Sequence, residues 1–116
     1  MNANRSAAKS GLDARPVRLQ LSRRVGFNLQ QESRRRNGIS ARSVARPSKW
    51  SNPFKVSEYG RAKALALFEA YIGQAIARGE LDPAELRGFN LACWCKPDES
   101  CHADLLIRLA AQRTRS

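Results

Sequence analysis

Apolar and polar residues alternate over Val17-Arg18-Leu19-Gln20-Leu21, and a period of two predicts a half-buried strand. Gly26 marks a bend soon after it. Residues 30–38 are polar and basic and read as a loop, with Arg36-Asn37-Gly38 as a turn. Ser40 to Arg46 is a second strand candidate, centred on Val44 and stopped by Pro47. The stretch from there to Pro53 reads as an ordered loop around Trp50.

The period then changes to that of a helix. Leu65, Phe68, Ile72 and Ile76 recur at three- and four-residue spacing and predict a helix over 58–78, with Ser57 as its N-cap and Gly79 as its stop. Asp82-Pro83-Ala84-Glu85 is a compact helix start that Gly88 ends after about one turn. Phe89 to Trp94 reads as a strand. A last helix opens near Ser100 or Cys101, with Leu105, Leu106 and Leu109 on its apolar face.

The predicted order is β-β-α-(short α)-β-α. A strand, a helix and a returning strand predict a parallel βαβ unit. The expected fold is therefore a small Rossmann-like α/β domain, with a three-stranded or slightly larger, mostly parallel sheet and flanking helices. It is expected over residues 15–113, after a disordered basic tail at 1–14 and before a frayed end at 114–116.

The 116 residues carry 21 Lys and Arg against 10 acids, for a formal net charge of +11. Residues 1–56 hold 13 of the bases and only 2 of the acids, whereas 57–116 hold 8 of each. The positive field lies wholly in the N-terminal half, densest at Arg34-Arg35-Arg36. Such a field favours a polyanion, with nucleic acid or a nucleotide as the expected partner. The alternative is a solvated basic arm with no specific partner.

No apolar run is long enough to span a bilayer, and no signal-peptide h-region opens the chain. A cytoplasmic protein with reduced thiols is expected. No Gly-rich loop of the kinds that cradle NAD or ATP phosphates is present.

The candidate chemistry is concentrated in one segment. Cys93, Cys95, Cys101 and His102 are all the cysteines and the only histidine, packed within ten residues. Thiolate and imidazole serve nucleophilic attack, proton transfer and soft-metal binding. Strand alternation puts Leu91, Cys93 and Cys95 on one face, and Cys101-His102 on the first turn of the next helix. Ligands of open α/β sheets bind at that end of the strands.

Cys101 is the nucleophile candidate, His102 its acid–base partner, and Cys95 a second catalytic candidate. Asp104 lies about 200° around the helix from His102, so no Cys–His–Asp relay is expected. The metal reading takes Cys93 as a core residue and leaves Cys95, Cys101 and His102 as a three-ligand zinc site with an open position. A purely structural role for the thiols is the remaining alternative.

The loop after the second strand adds ligand-binding candidates. Arg46 could clamp a phosphate or carboxylate, Trp50 could stack on a base or belong to the core, and Asn52 could read a base edge or hold the loop.

Two stretches carry a resemblance. Arg46-Pro47-Ser48-Lys49-Trp50-Ser51-Asn52-Pro53-Phe54 fits an RPxxWGNPF segment. Leu86-Arg87-Gly88-Phe89-Asn90-Leu91-Ala92-Cys93-Trp94-Cys95, continued by Cys101-His102-Ala103-Asp104-Leu105-Leu106, fits an LRGxxLACWC…PCHADxL segment. The pair resembles a family of short bacterial and phage domains of unknown function. The opening Val17-Arg18-Leu19 with Arg24 and Gly26-Phe27 fits that family's first strand, so the likeness spans about residues 17–109. Ser51 stands where the family has Gly. The resemblance implies the fold and the place of the site rather than a reaction.

The leading expectation is a domain that binds or processes a nucleotide or a nucleic-acid-linked substrate. The alternatives are a non-enzymatic basic nucleic-acid-binding module with structural thiols or zinc, and an accessory protein of a phage or mobile element that binds a protein partner.

Overall fold

The computed structural model describes residues 15–112; the expected tails at 1–14 and 114–116 lie outside the described residues. Three short strands, β1 (Arg18–Gln20), β2 (Ala41–Ser43) and β3 (Asn90–Cys93), form one sheet in the order β1-β3-β2. Both pairings are parallel, with Leu19 opposite Ala92 and Arg42 opposite Leu91. The last strand in sequence is thus central, and all four of its residues are buried. Helices cover the sheet, so the expected small parallel α/β domain is what forms, and its layering is Rossmann-like.

The element order departs from expectation at residues 30–38. They form helix α1 (Leu29–Asn37) rather than a loop. Its residues have little to bury, and only Ser33 is buried. Termini and polar side chains hold it instead. Asn28 caps the start by accepting from the Gln31 N–H at 3.0 Å. Gly38, at φ +86°, closes the end by donating its N–H to the Arg34 carbonyl at 2.8 Å. Gln30 donates to the Ala41 carbonyl and accepts from the Ala41 N–H, both at 2.8 Å. That amide acts as one more rung on the open edge of β2.

The long predicted helix is two helices, α2 (Val56–Tyr59) and α3 (Arg61–Ala77). Gly60 separates them with φ 82° and ψ 157°, a backbone conformation essentially reserved for glycine. Lys55 rather than Ser57 occupies the capping position. The buried stripe of α3 is Ala64, Phe68, Ile72 and Ala75. A 3₁₀ turn at Pro83–Leu86 follows, capped as expected by Asp82, which accepts from the Ala84 N–H at 3.0 Å. Helix α4 (His102–Gln112) buries His102, Ala103, Leu105, Leu106 and Ala110.

Two cores lie on opposite faces of β3. The larger joins Leu91 and Cys93 to Val44, Trp50, Phe68, Ile72, Leu86, Cys101 and Leu106. The smaller joins Ala92 to Leu19 and Ala41, with Leu29 of α1 packed against it. No helix among the described residues is long and apolar enough to cross a membrane.

Candidate functional site

Strand alternation turns Cys93 and Cys95 to the side of α3 and α4. The chain then turns over residues 96–100, where Lys96 N–H meets the Glu99 carboxylate at 2.9 Å and Glu99 N–H meets the Lys96 carbonyl at 3.0 Å. This turn returns the chain to Cys101 at the start of α4. The Sγ atoms of Cys93, Cys95 and Cys101 consequently all lie within 4.8 Å of one another, close enough to hold a metal ion. Cys93 and Cys101 are nearest, at 3.0 Å. All three are free thiols.

His102 stands beside the trio rather than in it. Its Nε2 lies 2.9 Å from the Val44 carbonyl and its Nδ1 3.6 Å from Cys101 Sγ. A carbonyl only accepts, so Nε2 carries a hydrogen and Nδ1 faces the sulfur. A proton between that nitrogen and the sulfur can sit on either. Phe68 stacks edge-on to the imidazole at 5.2 Å between centroids, which fixes the ring.

Two guanidinium groups flank the sulfurs. Arg61 donates to the Ser100 carbonyl at 2.9 Å, pairs with Glu99 at 3.4 Å, and approaches Cys95 Sγ at 3.9 Å. Arg18 reaches over from β1, donates to the Pro97 carbonyl at 2.8 Å, and pairs with Asp104 at 3.5 Å. Its Nη1 is buried without a hydrogen-bond partner. Asp104 thus serves Arg18, in keeping with the expectation that it does not serve His102.

The electrostatics single out Cys101. The hydrogen bond from Cys93 pulls its thiol down to about 3, against the opposing effect of burial. His102, Cys95 and the Ala103 N–H at the helix start add to that pull. Cys93 is pushed the other way by the bond it gives to Cys101 and by burial. Burial, and then its bond to Cys101, also raise Cys95. Burial opposes the Arg18 charge, but contact with Cys101 and Asp104 outweighs it and raises Arg18 above the ordinary guanidinium value. Within the cluster the negative charge is thus favoured at Cys101 over Cys93 and Cys95.

Cys95 lines two of the cavities that open beside this cluster. One, of about 640 Å³, is lined by Arg18, Arg24, Arg35 and Arg36, with Glu32 as its acid. The other, of about 450 Å³, is lined by Arg46, Asn52, Lys55, Arg61, Cys101 and His102.

The remaining sequence candidates fall on both sides of the line between site and scaffold. Arg46 reaches the second cavity and donates to the Asn52 carbonyl at 3.1 Å. Asn52 holds its loop, accepting from the Phe54 N–H at 2.8 Å and donating to the Ala64 carbonyl at 3.3 Å. Trp50 is 3 % exposed and packs in the larger core, so no base can stack on it. Arg35, paired with Glu32, and Arg36 line the first cavity, whereas Arg34 points to Ser40.

The expected metal set of Cys95, Cys101 and His102 is not the trio that converges. Cys93 takes the third place, because it is a core residue and a member of the cluster at once. Arg18 and Arg61 escaped the sequence reading altogether. Their partners lie 34 to 86 residues away along the chain, and no local pattern announces them.

A search of curated proteins and a search of solved structures each found no match. Residues 27–112 match a family described as a domain of unknown function, DUF4326. That span takes in all of the cysteine cluster, the whole lining of the second cavity and half that of the first, and the chain belongs to that family.

Proposed function

We propose that this domain binds a nucleotide, or a phosphate-bearing stretch of nucleic acid, at the carboxyl end of its sheet. The cysteine cluster is then the reactive centre that the bound ligand meets. The observation that carries this reading is the position of Cys95, in the wall of two cavities that are both lined with cations. Arg18, Arg24, Arg35 and Arg36 face one ligand position, and Arg46, Lys55 and Arg61 the other. Guanidinium groups bind phosphate through paired N–H donors. The Cys101 sulfur lies against the second cavity, with His102 Nδ1 3.6 Å away to carry a proton.

A second reading, a nucleic-acid-binding module without chemistry, is favoured by the charge alone. Anisotropy titration of a labelled mononucleotide and a labelled single-stranded oligonucleotide at low salt separates the two. Log K should fall linearly with log salt, and Arg24→Ala or Arg36→Ala should each reduce that slope by about one for the oligonucleotide. Oligonucleotide binding with no mononucleotide binding selects the module. No binding of either probe at low salt sinks both.

A further inference from the structure

We infer that Cys93, Cys95 and Cys101 hold a single zinc-class ion, leaving its fourth position facing the cavity of Arg46 and Arg61. This deepens the reading above by naming its reactive centre, yet it rests on the sulfur positions and not on any ligand.

Three observations carry it. The first is distance. A tetrahedral zinc with Zn–S bonds of about 2.3 Å sets its sulfurs about 3.8 Å apart. The trio lies within 4.8 Å, and the 3.0 Å pair of Cys93 and Cys101 must open by less than about 1 Å.

The second is rigidity. Cys93 ends the central strand, Cys101 starts a helix, and Cys95 lies on the turn between them. Arg61 and Glu99 brace that turn. Nothing has to fold to bring the ligands together.

The third is charge. Three thiolates around a divalent ion leave one negative charge in a largely buried place. Arg61 stands 3.9 Å from Cys95 Sγ, and Arg18, held over the turn by the Pro97 carbonyl and Asp104, keeps its Nη1 buried without a hydrogen-bond partner. Outer groups that orient and neutralise metal ligands are a regular part of such sites.

Softness selects the ion. Thiolates prefer zinc to the hard cations magnesium and calcium. One ion fits three sulfurs so close together, whereas the cysteines of a [4Fe–4S] cluster each sit on a separate iron and lie further apart. His102 is an outer partner, because its ring is held by the Val44 carbonyl and Phe68 and its Nδ1 does not complete the trio. The open position gives a ligand oxygen in the second cavity a place to coordinate, with Arg46 and Arg61 beside it.

The test uses the reduced full-length chain, stripped of metal and titrated with Co²⁺. One equivalent should bind with tetrahedral ligand-field bands and a near-ultraviolet charge-transfer band of three-thiolate strength, and zinc should displace it. Cys95→Ser should lower that band by about a third, one thiolate in three. His102→Ala should leave it unchanged, and Arg61→Ala should weaken zinc binding roughly tenfold.

Absence of the band in the wild-type chain, with three thiols counted as free, overturns the proposal without recourse to any variant. X-ray absorption showing two sulfurs and an imidazole also overturns it, in favour of Cys95, Cys101 and His102. Zinc retained by Arg24→Ala and Arg36→Ala while phosphate-ligand binding weakens shows that the two readings stand or fall separately.

Discussion

The two faces of the central strand are built on different principles. On the side of α3 and α4, Leu91 and Cys93 enter a large apolar core with Phe68, Ile72, Leu86 and Leu106. On the side of α1, Ala92 joins only Leu19 and Ala41 as buried apolar residues, with Val17, Leu21 and Leu29 half-buried against them, and Asn90 adds hydrogen bonds. Its amide donates to Ser33 Oγ at 2.7 Å and to Asn37 at 2.9 Å, while its oxygen accepts from the Val17 N–H at 2.9 Å. One face is held by area removed from water, the other by complete satisfaction of buried polar groups. The cysteine cluster belongs to the first face, where low polarity makes its charges costly and therefore in need of Arg18 and Arg61.

The apolar face should carry the larger share of stability. Phe68 is fully buried in the larger core and packs edge-on to His102. Phe68→Ala should cost about 4 kcal/mol, a large part of the 5–15 kcal/mol typical of a whole domain. Urea denaturation followed by circular dichroism measures it. A loss under about 1 kcal/mol would mean that this core is loosely packed and that the contrast between the faces is misplaced.

The polar face should come next. Asn90→Ala removes no large apolar area, yet it strands the Val17 N–H, Ser33 and Asn37 in a buried setting. An unsatisfied buried group costs about 1–3 kcal/mol, so a loss of about 2–3 kcal/mol is expected. The same denaturation experiment reads it. A neutral result would show that water enters behind α1 and satisfies the stranded groups.

This contrast also explains which parts of the molecule were legible in the sequence. Strands β1 and β3 and helices α3 and α4 announce themselves, because apolar periodicity is the imprint of a face removed from water. Helix α1 has no such imprint. Its sequence Leu-Gln-Gln-Glu-Ser-Arg-Arg-Arg-Asn is nearly all polar, and it binds the sheet through Gln30, Ser33 and Asn37. The signal that could have found it was Asn28 three residues before Gln31, with Gly38 just past Asn37.

The site divides in the same way. Its cysteines and histidine were visible because they crowd one segment, and alternation put Cys93 and Cys95 on one face. That Cys93 joins the cluster while buried in the core depends on how close the start of α4 comes to β3. The cations that complete the site arrive from β1 and α3 through contacts that only the assembled sheet creates. The N-terminal charge was plain in the composition, but its division between two cavities on either side of Cys95 was not.

The smallest of these effects offers the sharpest test of how α1 is held. If caps and side-chain bonds stand in for buried area, then the cap at Asn28 matters more than a surface residue ordinarily would. Asn28 Oδ1 satisfies one of the orphan N–H groups at the start of the helix. Asn28→Ala should therefore cost about 1 kcal/mol, and Asn28→Asp, which keeps the acceptor and adds a charge favoured at a helix N-terminus, should cost almost nothing. The loss should also be local. Amide exchange in Ser33 to Asn37 should quicken in the alanine variant, while Leu105 and Leu106 of α4 keep their protection, because the apolar face does not depend on that cap. Equal quickening on both faces would show that α1 and the apolar core open as one unit, and the two faces would then differ in chemistry but not in cooperativity.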